Sequence, residues 1–243
     1  MIDANTLEFF SAQTQAFAET LARYQNSAEL LEALLRQAYS SFAGNVEYES
    51  EGCPDIACHK GCASCCTLRV TATAPEILLI VRYLHANTKQ DSYLNLHKRV
   101  AKTNKITCGQ NETQRVKQQC PCPFISRGVC TIYPVRPLAC RGHACYDKKA
   151  CIEATAGRLQ QLPISEPHQY MRSLIQNALQ SAMRDAGYAW ASFEMIQAVS
   201  MGLSHPEIEG LWLSGKDVFF PATVDEVSLS EMAETFDQIK QLS

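Results

Sequence analysis

Apolar residues recur at helical spacing on both sides of a central region that lacks this pattern. Residues 5–23 have one apolar side, formed by Leu7, Phe10, Phe17 and Leu21. A second stripe with the spacing of an amphipathic helix consists of Leu30, Leu31, Leu34, Leu35 and Ala38. Asn26 and Glu29 precede this stripe with the spacing of a helix-capping pair. The pattern predicts two helices that pack against each other in antiparallel orientation.

Further helices are predicted later in the chain. Thr73 and Glu76 form a capping box, with Pro75 tolerated in the first helical turn. The other predicted helices are one over residues 91–103, one that Pro167 opens, one from about Trp190 to Met201, and a short one capped by Ser228 and Glu231. Residues 104–121 are polar without a clear period, and no alternation is strong enough to build a sheet. We therefore expect a mainly α fold.

The segment from Cys120 to Cys151 is expected to be irregular. Its prolines, which exclude long helices, are Pro121, Pro123, Pro134 and Pro137. A long irregular segment inside a folded domain needs a constraint of another kind, and bound metal would supply it. The predicted architecture is one domain over residues 1–243, with helical arms at 1–50 and 160–243 around a metal-stapled segment at 53–151.

Composition and charge exclude several classes of function. The chain has 46% hydrophobic and 19% charged residues, which is typical of a folded globular protein. The net charge of −3 gives no indication of a nucleic-acid or anionic-membrane partner. The N-terminal residues lack the basic and apolar regions of a signal peptide, and no apolar run is long enough to span a bilayer. We expect a cytoplasmic protein without nucleic-acid or membrane partners.

The most informative feature is the distribution of the 12 cysteines, all of which lie between Cys53 and Cys151. Clustered cysteines in a reducing compartment are more often metal ligands or catalytic thiols than structural disulfides. Short spacings allow successive sulfurs to converge on one ion or cluster. We therefore expect metal ions as the principal binding partners.

The stretch CHKGCASCC contains Cys58, Cys62, Cys65 and Cys66. Its first three cysteines have the C-x3-C-x2-C spacing of radical-SAM enzymes, but such enzymes need a β/α barrel that the pattern does not predict. Adjacent cysteines are difficult to satisfy at one tetrahedral ion, so Cys65 and Cys66 favour a site with more than one metal atom. Arg136 and Arg141 lie near cysteines in sequence and are candidate hydrogen-bond donors to ligand sulfurs.

CHKGCASCC followed by CPFISRGVCTIYPVRPLACRG resembles the YkgJ-like cysteine-cluster proteins of bacteria, which are described as zinc- or iron-chelating or as Fe–S-containing. The resemblance covers about residues 53–151. Besides the cysteines, the matching positions are Ile132, Tyr133, Arg136, Pro137 and Arg141. The resemblance implies metal ligation by eight cysteines: Cys58, Cys62, Cys65, Cys66, Cys122, Cys130, Cys140 and, by similarity to one subgroup, Cys151.

The sequence does not assign a role to several further cysteines and histidines. Cys53, Cys108, Cys120 and Cys145 lie outside the family pattern, and Cys120 is the best further candidate because it lies close to Cys122. His59 and His143 adjoin candidate ligands and could bind metal through imidazole, but a role at the surface or in contact with a ligand is the commoner one.

Three functions remain compatible with these observations. The first is a protein that uses an Fe–S cluster or a polynuclear iron–thiolate site for redox or catalytic chemistry. The second is a structural or interaction protein with four-thiolate zinc sites, although the spacings lack the paired C-x2-C knuckles of most such sites. The third is a methyltransferase-like enzyme, because a related cysteine block occurs in flagellin lysine N-methylases. The sequence alone does not choose between metals that accept thiolates.

Overall fold

The computed structural model describes residues 4–159, 162–226 and 228–242. Most of this part of the chain is helical, which confirms the predicted mainly α class. The helices are α1 (Ala4–Arg23), α2 (Leu30–Glu49), α3 (Ala74–Asn87), α4 (Gln90–Thr107), α5 (Glu112–Gln118), α6 (Leu138–Gly142), α7 (Lys148–Thr155), α8 (Glu166–Asp185), α9 (Met195–Ser204), α10 (Ile208–Leu213) and α11 (Leu229–Leu242). The strands are β1 (Thr71–Ala72), β2 (Ile125–Ser126), β3 (Val129–Cys130) and β4 (Phe193–Glu194).

The two N-terminal helices pair as predicted. Thr20 Oγ1 in α1 donates to Gln37 Oε1 in α2 at 2.7 Å, and Ser41 Oγ in α2 donates to Gln13 Oε1 in α1 at 2.6 Å. These contacts run in opposite directions along the two helices, so the pair is antiparallel. The leucines of the α2 stripe are fully buried, and both helices pack on α8. The N-terminal and C-terminal arms therefore contact each other directly.

Some predicted helix boundaries are wrong. Asn26 has a positive φ of 61° in the turn before α2, and Glu29 occupies the N-cap position without a side-chain cap, so the proposed capping pair does not form. The helix expected from Trp190 begins only at Met195, because β4 pairs with β1 just before it. The polar stretch 104–121 contains α5, which a capping box at Asn111 and Gln114 starts. The short helix α10 was not predicted from the sequence.

Glu76 connects two helices near the cysteine-rich segment. Its Oε2 accepts hydrogen bonds from the backbone N–H and the hydroxyl of Thr73 at 2.8 and 2.9 Å, which confirms the predicted capping box of α3. Its Oε1 accepts the N–H of Leu138, the first residue of α6, at 2.7 Å. The carboxyl group is fully buried, so this one side chain fixes α6 relative to α3.

A buried apolar cluster extends from Phe10 to Phe236 and includes Phe124, Ile132 and Leu138 of the cysteine-rich segment. That segment is thus attached to the helical arms by packing as well as by hydrogen bonds. None of the described helices combines the length and the apolar character that a membrane span requires.

Close contact between α6 and α8 depends on Gly142. A Cβ atom added at Gly142 would lie 2.5 Å from Cβ of Arg172 and 3.1 Å from the carbonyl oxygen of His168. We expect Gly142→Ala to destabilise the protein by about 1–3 kcal/mol, because a methyl group would force the two helices apart. Urea unfolding measures the change.

The matched control is Gly44→Ala in α2, where an added Cβ meets nothing within 4 Å. There alanine is expected to stabilise the helix by roughly 0.5–1 kcal/mol. A Gly142→Ala protein as stable as the wild type would contradict the close packing of α6 on α8.

Candidate metal centre

Backbone hydrogen bonds join the two cysteine-rich stretches. The N–H of Cys122 donates to the carbonyl of Cys66 at 2.7 Å, and the N–H of Ala57 donates to the carbonyl of Cys145 at 2.8 Å. These bonds connect the first stretch to both ends of the second. Cysteines far apart in sequence are therefore held close together by the backbone itself.

A tight hairpin positions Cys130. Strands β2 and β3 pair antiparallel, with Ile125 opposite Cys130, and Arg127 and Gly128 between the strands have φ values of 50° and 79°. Two consecutive positive φ values define the turn that matches the twist of a two-residue hairpin, and glycine at the second position suits it. The N–H of Ile125 donates to the carbonyl of Cys122 at 3.1 Å, so the hairpin begins beside Cys122.

The expected ligands surround one cavity of about 680 Å³. All eight cysteines of the family pattern lie on its wall: Cys58, Cys62, Cys65, Cys66, Cys122, Cys130, Cys140 and Cys151. Arg136 and Arg141 also line it, together with His59, His143 and His168. The fold thus brings together the complete set of side chains that the sequence analysis selected.

The four remaining cysteines are not part of the described wall of this cavity. Cys53 is exposed, and Cys108 is an exposed cap of α4 whose thiol donates to Gln197 Oε1 at 3.3 Å. Cys145 is buried, its sulfur contacts the backbone of Asp147 in its own turn, and its thiol is close enough to Cys58 and Cys151 to interact with both. Cys120 is close in sequence to Cys122, which lines the cavity, but Cys120 itself does not line it.

The thiols do not converge on a single point. Among the described residues, no group of three or more His, Cys, Asp or Glu side chains is arranged to hold a metal ion. Instead the sulfurs are spread over the cavity wall. The wall has the number and the chemistry of donors that a thiolate-bound metal group requires, but these donors are not arranged as a formed site.

Electrostatic contacts divide the thiols into two overlapping halves. Besides burial, the pKa of Cys151 is raised by Cys65, Cys145, Cys62 and Cys58, whereas that of Cys140 is raised by Cys122, Cys65 and Cys130. Cys65 belongs to both halves, and its thiol is hydrogen-bonded with that of Cys66. Cys65 is therefore the thiol that the two halves share.

Burial keeps these thiols protonated in the absence of a cation. It raises the pKa of Cys122 and the pKa of Cys151 to about 12 each. The pKa of Cys140 is also raised by burial, and that of Cys65 is raised first by its hydrogen bond with Cys66 and then by burial. A bound metal cation reverses this preference, because thiolates are the ligands and metal binding releases their protons.

The two predicted arginines have different environments. The positive charge of Arg136 lowers the pKa of Cys58, Cys65, Cys130 and Cys140. The larger opposing cause is burial, except at Cys65, where it is the hydrogen bond with Cys66. Its guanidinium lies 4.2 Å from the ring centroid of Tyr133. Arg136 is therefore placed to compensate negative charge on the thiols.

Arg141 acts on the backbone rather than on the sulfurs. Its Nε donates to the carbonyl of Arg136 at 2.9 Å and its Nη2 to the carbonyl of Pro134 at 2.8 Å. The guanidinium also lies 3.9 Å from the ring centroid of Tyr39. Arg141 therefore holds the turn that presents Arg136, a role that sequence spacing did not predict.

The described Lys, Arg, Asp and Glu side chains that line the cavity are all basic. Its described lining includes Lys60, Arg69, Arg136 and Arg141, but no Asp or Glu. Calcium and magnesium require carboxylate and carbonyl oxygens, whereas thiolates select softer metals. The donor set therefore suits iron, zinc or copper and not the oxygen-seeking cations.

Sequence reasoning missed His168, which is outside the cysteine-rich segment. Ser165 is the N-cap residue of α8 and His168 is three residues further along, so their spacing is that of a capping pair. Ser165 Oγ and His168 Nδ1 are 2.8 Å apart. That spacing was the only available signal, and nothing in it pointed to the cavity.

No family model, curated protein or solved structure matched the chain in our comparisons. Membership of the YkgJ-like family therefore stays a prediction from the cysteine motif.

Proposed function

We propose that this protein holds a polynuclear iron group, either an Fe–S cluster or an iron–thiolate site, in the thiol-lined cavity for redox or catalytic use. The observation that carries the proposal is the lining itself: eight cysteines around one cavity, with cationic side chains and no described carboxylate. The ligands would be those eight thiolates. When bound, such a group supplies one-electron redox chemistry.

The spread of the thiols favours a group larger than one ion. A closed zinc site requires four ligands around one ion, with sulfur at about 2.3 Å. Here Cys65 and Cys66 are adjacent and both line the cavity, and Cys65 acts electrostatically on both Cys140 and Cys151. A cluster of several metal atoms reaches dispersed sulfurs more easily. Four-thiolate zinc sites remain the alternative, because the donors accept zinc equally well.

The protein contributes charge balance and rigidity. Several thiolates around one group carry net negative charge, which Arg136 compensates from its position near four of them. Arg141 fixes the turn that carries Arg136, and Glu76 fixes the helix that carries Cys140. The ligands are thereby presented by side chains and backbone that are themselves held in place.

The proposed setting is the cytoplasm, where free thiols stay reduced. Kinship with the YkgJ-like proteins is part of the same proposal. The relation to lysine N-methylases rests on the sequence resemblance alone.

Anaerobic purification followed by iron, zinc and sulfide analysis tests the proposal. We expect a coloured protein that contains iron, with acid-labile sulfide if the group is an Fe–S cluster. A colourless protein loaded with zinc would support the alternative, and a protein without metal under these conditions would contradict both.

The matched variants are Cys130→Ser and Cys108→Ser. Loss of Cys130 is expected to lower the metal content, because its thiol lines the cavity, whereas Cys108 is exposed at the end of α4. Cys108→Ser should retain the wild-type metal content. A clear loss of metal in Cys108→Ser would show that Cys108 is a ligand and that the proposed set of eight is wrong.

A further inference from the structure

A chain of hydrogen bonds connects Tyr146 and the buried Ser165 to His168, which lines the cavity. The hydroxyl of Tyr146 donates to Ser165 Oγ at 3.2 Å, and Ser165 Oγ is 2.8 Å from His168 Nδ1. Ser165 is 0% exposed. Within the described chain, His168 Nδ1 is the only side-chain acceptor found for its proton. We therefore assign the serine proton to this hydrogen bond, with Nδ1 as its acceptor.

This arrangement fixes the tautomer of His168. Since Nδ1 accepts a hydrogen bond, the ring proton of the neutral imidazole is on Nε2. Burial and the nearby charge of Arg136 both lower the pKa of His168, which favours the neutral ring. No partner for Nε2 is found among the described residues, and His168 lines the cavity. A fixed N–H donor is thus available to a molecule in the cavity.

Two more buried nitrogens on this wall lack partners. Arg136 Nε and His143 Nε2 are both inaccessible to solvent and have no hydrogen-bond partner in the described part of the chain. Buried donors are normally satisfied, and an unsatisfied one marks a position where a ligand or water is expected. Arg136 and His168 line the same cavity, and the charge of Arg136 acts on His168, so the two donors belong to one region.

The exposed part of the cavity lining combines apolar side chains with polar ones such as Lys60 and Thr131. Three of its lining side chains are large hydrophobic residues that remain exposed: Ile56 at 38%, Val129 at 37% and Tyr133 at 51%. A ligand that combines an apolar body with an anionic head would cover these side chains and reach the basic wall. Ligand sites commonly have this composition, with apolar walls and a few fixed polar groups.

We propose that the cavity has a second site, beside the thiols, that binds the carboxylate of a small organic acid through His168 and Arg136. This inference deepens the proposed function, since the acid would be the substrate or effector of the metal group. Its donors, however, are not thiols. The anion site can therefore be tested separately from the metal.

Benzoate and benzamide are suitable probes because they have the same ring and differ in charge. Isothermal titration should detect benzoate binding to the purified protein and much weaker binding of benzamide. His168→Phe is expected to weaken benzoate binding roughly tenfold or more, because a hydrogen bond to a charged group is lost. His168→Gln retains an N–H donor and should restore much of the affinity. Metal content should be unchanged in both variants.

Tyr146→Phe gives a second, milder test of the relay. It removes the donor to Ser165 and leaves the imidazole in place, so benzoate binding should weaken by a few-fold. This variant also keeps the proposal testable if His168→Phe does not fold.

Several results would overturn the inference: no benzoate binding, equal binding of benzamide, or unchanged affinity in His168→Phe. Loss of metal in His168→Phe would assign the residue to the metal centre instead. Benzoate binding that depends on His168 in a protein that never contains metal would keep the anion site and refute the proposed function. A protein that contains metal but does not bind benzoate would keep the proposed function and refute the anion site.

Discussion

Replacement of Cys140 by serine is expected to remove or deplete the metal and to lower the melting temperature by roughly 10 °C. Cys140 lies in α6, and its thiol is influenced by Cys65, Cys122 and Cys130 across the cavity. Because the candidate ligands come from separate stretches, a metal bound by all of them would stabilise the folded state alone. A ligand present at a thousand times its dissociation constant contributes about 4 kcal/mol, and each kcal/mol shifts the melting temperature of a chain of this size by about 2–4 °C.

The metal-free proteins provide the decisive control. A serine hydroxyl at this buried position costs up to about 1–3 kcal/mol if it lacks a partner, so chelated Cys140→Ser should unfold at or somewhat below the temperature of chelated wild type. The contribution of the metal is the additional difference between the two proteins without chelator. Cys108→Ser, an exposed cysteine, should match the wild type both with and without chelator. If chelation leaves the wild-type melting temperature unchanged, metal does not stabilise the cysteine-rich segment.

Periodic apolar residues were sufficient to predict the arms. The stripe from Leu30 to Ala38 is buried as expected, because burial of one helical face is decided locally. Capping motifs were less reliable. Thr73 and Glu76 form their box, but Asn26 and Glu29 do not, although their spacing is the same. The left-handed conformation of Asn26 in the interhelical turn prevents that cap.

Contacts between distant parts of the chain could not be predicted from the sequence. Strand β4 pairs with β1, which is more than a hundred residues away, and this pairing delays the start of α9. The same limit applies to the candidate centre. The cysteine motif named all eight thiols of the cavity wall, whereas His168 reaches that wall only because α8 packs on α6. Periodicity carries no information about such a contact.

Loss of the Glu76 carboxyl group is expected to destabilise the protein by about 3 kcal/mol or more, as measured by urea unfolding of Glu76→Ala. The substitution leaves the N–H groups of Thr73 and Leu138 buried without acceptors, at about 1–3 kcal/mol each. It also frees α6, so metal content should fall as well. Glu231→Ala is the matched control, since Glu231 has the same position after Ser228 in α11 but is exposed. A change within about 0.5 kcal/mol is expected there.

The dependence of this effect on pH has a definite sign. Burial raises the pKa of Glu76 despite its hydrogen bonds to Leu138 and Thr73. A carboxyl group whose pKa is higher in the folded state binds its proton more tightly there, so its stabilising contribution is greatest below the unfolded pKa of about 4.3. That contribution declines as the pH rises through the folded pKa. The stability difference between wild type and Glu76→Gln should therefore be larger at about pH 4.5 than at about pH 8. A difference that grows with pH would instead show that the folded protein favours the ionised carboxylate, held by Leu138, Thr73 and the nearby Arg172.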